Sequence, residues 1–273
     1  MSQGDDDGAE IRQLVGQRAD ALAVLVRNDR EKAELVDDLD VSRSTVDRMV
    51  RRLESAELVR RNGSHIEATL AGRLAYDTYR DHCDRTADIA RFDDLLRELP
   101  PTADLGHDLL DGATAYRSEP PATGRPVNEF KSLLGEATRI RGCASVINDE
   151  AAVAELHEMV VDRGGRAMVV YAEELAAHIR EEYFEGHHVM AATGRYRAYE
   201  VDGVPYELFL LDSDAGTTVV VAIYDSTGKL KGTIVNDTDP AVAWGEATFE
   251  RYRQAATEFT DDFRVGRDED RDD

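Results

Sequence analysis

Apolar positions in the first third of the chain recur at the spacing of an amphipathic helix. Between Glu10 and Val26 they fall at residues 11, 14, 15, 22, 25 and 26, which predicts a helix over this stretch. A second helical pattern covers Arg30–Leu39 and is followed by a short turn. Ser42 is a suitable N-cap, so we predict a third helix from Ser42 to about Ala56. The apolar face of this third helix consists of Val46, Met49, Val50 and Leu53.

Two short strand-like runs follow the third helix. Leu58–Arg61 and His65–Thr69 flank the sequence Asn62-Gly63-Ser64, and an Asn-Gly pair in this position is typical of a β-hairpin. A long, charged helix is predicted from Leu70 to about Leu99. Two helices joined by a short turn and followed by a hairpin make a winged helix-turn-helix, which we place at residues 31–69.

From Val127 onward, helical and strand-like patterns alternate, and several strand-like runs then follow one another. The predicted helices are 128–137, 149–163, 172–185 and about 240–263, and the predicted strands are 139–147, 166–171, 189–192, 196–201, 206–211, 217–224 and 230–235. This order indicates an α/β sheet with an antiparallel extension. The predicted fold class is α+β: an N-terminal winged helix-turn-helix followed by an α/β C-terminal domain with a mixed sheet.

Proline pairs suggest where the domains are divided. Pro100-Pro101 interrupts the long helical pattern, and Pro120-Pro121 begins a second stretch that contains Pro and Gly. We therefore predict four parts. They are a winged helix-turn-helix domain with its trailing helix (1–95), a linker or edge segment (96–126), an α/β regulatory domain (127–265) and an acidic tail (266–273).

The chain of 273 residues has a formal net charge of −23. Its basic residues are almost all arginine, and many short carboxylates with only four lysines are typical of proteins from salt-loving archaea. The charge is uneven, because the window 42–61 holds six arginines against three acidic residues. A basic island in an acidic chain is the local property that a nucleic-acid contact needs.

Other chemistry is sparse in the sequence. Cys83 and Cys143 are the two cysteines, and they form no CxxC or Cys/His pattern, so we expect no disulfide, no metal site and no cofactor. Free thiols suit a reducing cytoplasm. No apolar run reaches the roughly 18 residues of a membrane-spanning helix, and the N-terminus lacks the apolar region of a secretory signal. We therefore expect a cytoplasmic protein without a membrane partner.

The geometry of the helix-turn-helix identifies candidate DNA contacts. A helix with one apolar and one polar, basic face fits the major groove, where arginine pairs with guanine and Ser or Thr bonds phosphates or bases. The candidate DNA-binding residues of the third helix and the wing are Ser42, Arg43, Ser44, Thr45, Arg48, Arg51, Arg52, Arg60, Arg61, Ser64 and His65. A helical bundle with a solvated arginine face, or a winged helix that contacts only proteins, stays open as an alternative.

Two stretches of sequence resemble known regulator families. The run Val41–Arg48, with Leu53-Glu54, Leu58-Val59 and Thr69–Gly72, resembles winged-helix regulators of the MarR/ArsR-like group. Residues 129–142, 219–225 and 241–253 resemble the middle domain of the methanogenesis-regulator type, found behind archaeal winged helices. The second resemblance implies a regulatory domain related to phospholipase-D-like folds. Phospholipase D chemistry needs a His-x-Lys pair, which the sequence lacks, so we expect no catalytic residues and no enzyme.

The expected function is that of a transcription regulator that binds double-stranded DNA as a homodimer. Its C-terminal domain is expected to sense a small-molecule effector or to mediate oligomerisation. Ligands of α/β sheets usually bind at the carboxyl ends of the strands, which here are near Asn148, Tyr171, Asp225 and Ser226. A winged-helix adaptor for protein contacts, or an enzyme fused to a winged helix, are the alternatives.

Overall fold

The computed structural model describes residues 3–147 and 149–264, and the chain divides into two compact units, Met1–Ala87 and Asp88–Asp273. The elements of the first unit are α1 (Gln3–Gln17), α2 (Ala19–Arg27), β1 (Arg30–Glu31), α3 (Lys32–Leu39), α4 (Arg43–Ser55), β2 (Val59–Asn62), β3 (His65–Ala68) and α5 (Leu70–Leu96), within which the division falls. Strands β1, β3 and β2 lie side by side, in that order, in an antiparallel sheet. This is the winged helix-turn-helix that the sequence predicts.

Capping groups determine where α3 and α4 begin and end. Glu31 and Glu34 form a reciprocal capping box at the start of α3, which satisfies two backbone N–H groups that have no partner within the helix. Asp40 ends α3 with a left-handed backbone (φ 49°), a conformation that Asp tolerates better than most residues. The Ser42 side chain caps the start of α4. The tight turn between the two helices is therefore encoded locally.

One apolar core holds the first unit together. The predicted apolar face of α4 is buried, and the hairpin adds Leu58 and Ile66 to the same core. Burial of one such side chain contributes about 1.5–3 kcal/mol. Because one face of α4 is buried against this core, the opposite face is left to solvent. The core members from the helices before α4 include Leu14, Val15, Leu22, Leu25 and Leu35.

The second unit is a mixed sheet covered by helices. Its elements are β4 (Thr114–Arg117), α6 (Arg125–Glu136), β5 (Arg139–Ala144), α7 (Glu150–Val161), β6 (Arg166–Ala172), α8 (Glu173–Glu182), α9 (Phe184–Ala192), β7 (Tyr196–Val201), β8 (Glu207–Ser213), β9 (Gly216–Tyr224), β10 (Leu230–Asn236), α10 (Asp239–Ala255) and β11 (Thr257–Glu258), with short 3-10 helices at His107–Leu109 and Thr260–Phe263. The strand order is β11-β7-β6-β5-β8-β9-β10-β4. Strands β5, β6 and β7 are parallel, and the other pairs are antiparallel. The predicted α+β class with a mixed sheet is confirmed.

Alternation along the strands gives the sheet two apolar faces. In β8, Leu208 and Leu210 belong to one buried cluster, while Phe209 and Leu211 pack with the other. Helix α10 covers the first face through Phe249. Helices α6 to α9 cover the second face, where the candidate ligand cavity described below is found. Because both faces of the sheet are buried, the sequences of these strands are nearly continuous runs of apolar residues.

The structure differs from the sequence prediction in several places. The stretch 10–26 forms two helices that meet at Arg18, and 189–192 is the end of helix α9 rather than a strand. The last helix ends at Ala255, not near 263. The segment 96–126, predicted as a linker or edge segment, contains β4, which pairs with β10 at the edge of the sheet. Two of these differences follow from pairing with distant strands: β11, directly after the last helix, pairs with β7, and β4 pairs with β10.

Candidate functional site

The start of α4 is held by a small network of hydroxyl groups. Ser42 Oγ accepts a hydrogen bond from the Thr45 N–H at 3.3 Å and lies 2.9 Å from the hydroxyl oxygens of Ser44 and Thr45. Of these three predicted contact residues, Ser42 and Ser44 are exposed and Thr45 is half-buried. The cap therefore organises hydroxyl groups at the N-terminus of the helix, where phosphate oxygens are favoured.

Three arginines on the outward face of α4 are unengaged. Arg43, Arg48 and Arg51 are exposed and make no side-chain hydrogen bond or ion pair within residues 3–147 and 149–264. Arg52 is also exposed, but its Nη1 donates to Oε1 of Gln17 at 3.3 Å. The guanidinium groups of the first three are free to take phosphate or base oxygens, for which their planar fork of donors is suited.

The outward face of α4 also carries one acid, Asp47. Its carboxylate pairs with the ammonium group of Lys32 on α3. This hydrogen bond holds the pKa of the Asp47 carboxyl below its usual value, so the group stays ionised. Lys32 thus neutralises the negative charge that stands among the arginines of α4.

The predicted wing residues are mostly occupied by partners inside the unit. Arg60 Nε donates to Glu67 at 2.7 Å, and Arg61 Nε donates to Glu54 of α4 at 2.6 Å. The Ser64 hydroxyl donates to Glu31 at 2.8 Å, and the half-buried His65 places its Nδ1 3.3 Å from that hydroxyl. The hairpin is therefore fastened to its surroundings, and its arginines must leave their carboxylates before they can bind a phosphate.

The second unit contains a cavity of about 130 Å³ between α6 to α9 and one face of the sheet. The cavity lies near the carboxyl ends of β5 and β6, the edge at which α/β sheets usually bind ligands. Most of its lining is apolar, and the rings of Phe130 and Phe209 pack against each other at 4.8 Å between centroids. Gly142 makes room for Phe209, because a Cβ there would lie 2.4 Å from a carbon of that ring.

A buried carboxylate, that of Glu207, lies in the cavity wall. Its Oε1 accepts hydrogen bonds from the N–H groups of Ser145 and Val146, both at 3.0 Å, and its Oε2 accepts one from the Tyr224 hydroxyl at 2.6 Å. Burial raises the pKa of Glu207, and these hydrogen bonds oppose the shift. Three hydrogen-bond donors therefore stabilise the Glu207 carboxylate in the cavity wall.

Two aromatic residues add polar atoms to the cavity. The Tyr171 hydroxyl lies 3.0 Å from that of Tyr196, and burial raises the pKa of Tyr171 to about 12, so it stays protonated. Burial lowers the pKa of His187 to about 4, which keeps its imidazole neutral near pH 7. The ring nitrogen Nδ1 donates to the Tyr183 carbonyl at 2.9 Å. Nε2 is then an acceptor.

The predicted ligand residues have different positions in the structure. Tyr171 lines the cavity. Asn148, like the predicted tail 266–273, lies outside the described residues. Asp225 and Ser226 do not line the cavity, and the Asp225 carboxylate is occupied by the Thr227 hydroxyl and by backbone N–H groups of the β9–β10 turn. Sequence reasoning missed Glu207, although a single charge in the apolar run 206–211 was a usable signal.

The described residues offer neither a cluster of metal ligands nor a membrane-spanning helix. Across residues 3–147 and 149–264, no group of three or more His, Cys, Asp and Glu side chains is placed to hold a metal ion. Within the same residues, no helix combines the length and the apolar character needed to cross a membrane. Burial raises the pKa of the Cys143 thiol to about 12, which makes it a poor nucleophile.

Two protein families match the chain. Residues 123–255 match the family described as methanogenesis regulatory protein FilR1, middle domain, and residues 6–91 match the family described as HVO_A0261 N-terminal domain. No match is found among curated proteins. The two family matches together include α4, the hairpin and most of the cavity wall.

Solved structures give weaker likenesses. TrmBL2, an archaeal chromatin protein, is 15% identical over 92% of this chain and 99% of that chain, with a TM-score of 0.42. Nuc, a phospholipase D family member from Salmonella typhimurium, is 12% identical over 54% of this chain and 98% of that chain, with a TM-score of 0.40. HmgR from Pseudomonas aeruginosa is 13% identical over 90% of this chain and 96% of that chain, with a TM-score of 0.25. These scores are too low to support a functional argument.

Proposed function

We propose that this chain is an archaeal transcription regulator with a FilR1-type middle domain, and that it binds double-stranded DNA through α4 and the β2–β3 hairpin. The proposal includes a homodimer, a small-molecule effector bound by the second unit, and action by binding rather than by catalysis. The transcription-regulator assignment rests on the family match of residues 123–255. We propose the contact residues, the dimer and the effector in addition to that match.

The set of free arginines on α4 is the observation that carries the DNA-binding proposal. Arg43, Arg48 and Arg51 share an exposed face with the capped N-terminus of the helix. An arginine that already pairs with a carboxylate loses that pair when it binds DNA, as Arg60 and Arg61 would. We therefore rank the three arginines of α4 above the arginines of the wing as sources of affinity.

The strongly acidic chain changes how this affinity would arise. Phosphate contacts gain much of their free energy from the release of counterions, and this gain shrinks as the salt concentration rises. A protein with the composition of a salt-loving organism would then depend more than usual on base contacts from Arg43, Thr45 and Arg48. Complete loss of binding between moderate and molar KCl would contradict this part of the proposal.

The test begins by isolating bound genomic fragments through chromatin immunoprecipitation and sequencing. Fluorescence anisotropy on one such fragment then compares the wild type with the double variant Arg48→Ala/Arg51→Ala. Each base contact is worth about 1–3 kcal/mol, so we expect affinity to fall by about 100-fold. Arg27→Ala is the control, since this exposed arginine ends α2. Unchanged binding by the double variant would instead favour a winged-helix adaptor for proteins.

The homodimer is tested separately from DNA binding. A dimer with two winged helices reads two half-sites about one helical turn, or a multiple of it, apart. Light scattering on the full chain measures its mass, and footprinting on a bound fragment measures the half-site spacing. A monomer that protects a single half-site would refute the dimer and leave the DNA contacts of α4 in place.

A further inference from the structure

Three residues on neighbouring strands form a row across the cavity floor. Glu207 of β8 is paired with Ala222 of β9, and Ala222 is paired with Thr233 of β10. All three line the cavity. Adjacent strands lie about 4.8 Å apart, so the backbones of Glu207 and Thr233 are roughly 10 Å apart. The small side chain of Ala222 leaves space between the two polar residues.

One end of this row is an unsatisfied hydroxyl group. Thr233 is 2% exposed, and its Oγ1 has no hydrogen-bond partner among the described residues. Leaving a buried hydroxyl without a partner costs free energy, and the great majority of buried polar atoms in folded proteins are paired. A ligand that supplies a partner for Thr233 would recover this cost.

The other end of the row has acceptor capacity left. A carboxylate offers about four lone-pair sites, and Glu207 uses three of them, for the Ser145 and Val146 N–H groups and the Tyr224 hydroxyl. The remaining site is on Oε2. A ligand group that both donates and accepts hydrogen bonds, such as a hydroxyl or a carboxamide, matches this carboxylate together with the Thr233 hydroxyl.

The charges around the cavity exclude an anion. Among the described residues that line it, the carboxylates are Glu207 and Asp149, and there is no Lys or Arg. Lys131, which is not part of the lining, already pairs with Asp149 at 3.5 Å. The neutral imidazole of His187 supplies no positive charge near pH 7. An anionic ligand would be buried without a cationic partner, which is strongly unfavourable. The carboxylate of Glu207 already has three donors, so a cation is not required to hold it.

The volume of the cavity limits the size of the ligand. At about 130 Å³, it is comparable to an engineered apolar cavity of roughly 150 Å³ that binds benzene. We infer that this cavity is the effector site and that its ligand is an uncharged, largely apolar molecule about one ring in size, with a hydroxyl or carboxamide group that bonds Glu207 and Thr233. The inference rests on the effector part of the proposed function.

Three probes of nearly equal size and different charge test this inference. Benzamide is neutral, benzoate is an anion and benzylammonium is a cation. Isothermal titration calorimetry on the full chain, without DNA, should show binding of benzamide and at least tenfold weaker binding of the two ions. A preference for either ion, or no binding of benzamide, would overturn the inference.

Variants at one end of the row and at its middle identify the site. Thr233→Val keeps the shape but removes the hydroxyl, so we expect benzamide to bind about tenfold more weakly, while Thr233→Ser should restore most of the affinity. Ala222→Phe should abolish binding by filling the space, and circular dichroism checks its fold. Wild-type affinity in Thr233→Val would refute the site even if Ala222→Phe does not fold.

DNA binding is measured on the same proteins without any probe. Thr233→Val should bind DNA like the wild type, because the residue lies in the second unit. Loss of DNA binding in Arg48→Ala/Arg51→Ala with unchanged benzamide binding supports both proposals independently. Failure of benzamide binding with intact DNA binding removes the ligand class and leaves the regulator.

Discussion

Gly72 of α5 and Leu58, the residue before β2, approach so closely that a Cβ on Gly72 would lie 2.0 Å from the Leu58 carbonyl oxygen. The same oxygen accepts a hydrogen bond from the Thr69 N–H at 3.0 Å, and the Thr69 hydroxyl accepts one from the Gly72 N–H at 3.0 Å. The start of α5 is therefore docked on the chain that leaves α4. This contact closes the base of the hairpin.

Gly72→Ala should destabilise the first unit. Replacing Gly by Ala inside a helix normally stabilises it by about 0.5–1 kcal/mol, but here the added methyl group meets backbone atoms that cannot move aside. We expect a loss of about 1–3 kcal/mol, measured by urea unfolding followed by far-UV circular dichroism. Gly16→Ala is the control, because its Cβ would make only ordinary contact, 3.4 Å from Tyr79. Equal behaviour of the two variants would contradict the close approach.

Asp47→Asn should strengthen DNA binding. The change removes a negative charge from the outward face of α4 and frees Lys32, which pairs with Asp47 in the wild type. One more cation available to phosphates should steepen the plot of log affinity against log salt concentration by about one unit. The measurement is fluorescence anisotropy over a KCl series. Asp77→Asn, an exposed site on α5, gives the same change in charge away from α4, and equal effects of both variants would argue against a local cause.

Thr233→Val should make the ligand-free protein more stable. The variant removes a buried hydroxyl that has no partner among the described residues, and we expect a gain of about 1 kcal/mol. Thr260→Val is the matched control, because the Thr260 hydroxyl accepts from the Ala198 N–H at 2.9 Å. That variant should lose stability. The fluorescence of Trp244, the single tryptophan of the chain, reports unfolding of the second unit, and destabilisation by Thr233→Val would show that the hydroxyl has a partner.

Stability of the second unit should fall as the pH falls from about 6.5 to about 4. Burial lowers the pKa of His187 from 6.5 to about 4 in the folded protein. Between these values the unfolded chain binds a proton that the folded chain does not, so unfolding becomes easier at lower pH. The full effect is about 3 kcal/mol. His187→Gln should flatten this part of the pH profile followed by Trp244 fluorescence, and His82→Gln, an exposed site on α5, should leave it unchanged. An unaltered profile in His187→Gln would assign the effect to other groups.

Local pattern was sufficient for α4 and the hairpin of the first unit. The apolar spacing of α4, its Ser42 cap and the Asn62-Gly63 turn each predict a structure from residues close together in the chain, and all three are present in the fold. Helix periodicity and capping depend on neighbours within a few residues. Pairing between distant elements was less accessible, and β4 was missed because its partner, β10, is more than one hundred residues away.

The sequence by itself determined that a basic helix lies in an acidic chain, because charge and helical spacing are properties of the residues alone. Tertiary structure decided which arginines of that region are available: Arg61 is held by Glu54, while Arg48 stays unpaired. Tertiary structure also determines which residues line the cavity, since strand register places Glu207 and Thr233 on either side of Ala222. Ion pairs and cavities depend on distances between elements, and only the packed fold sets those distances.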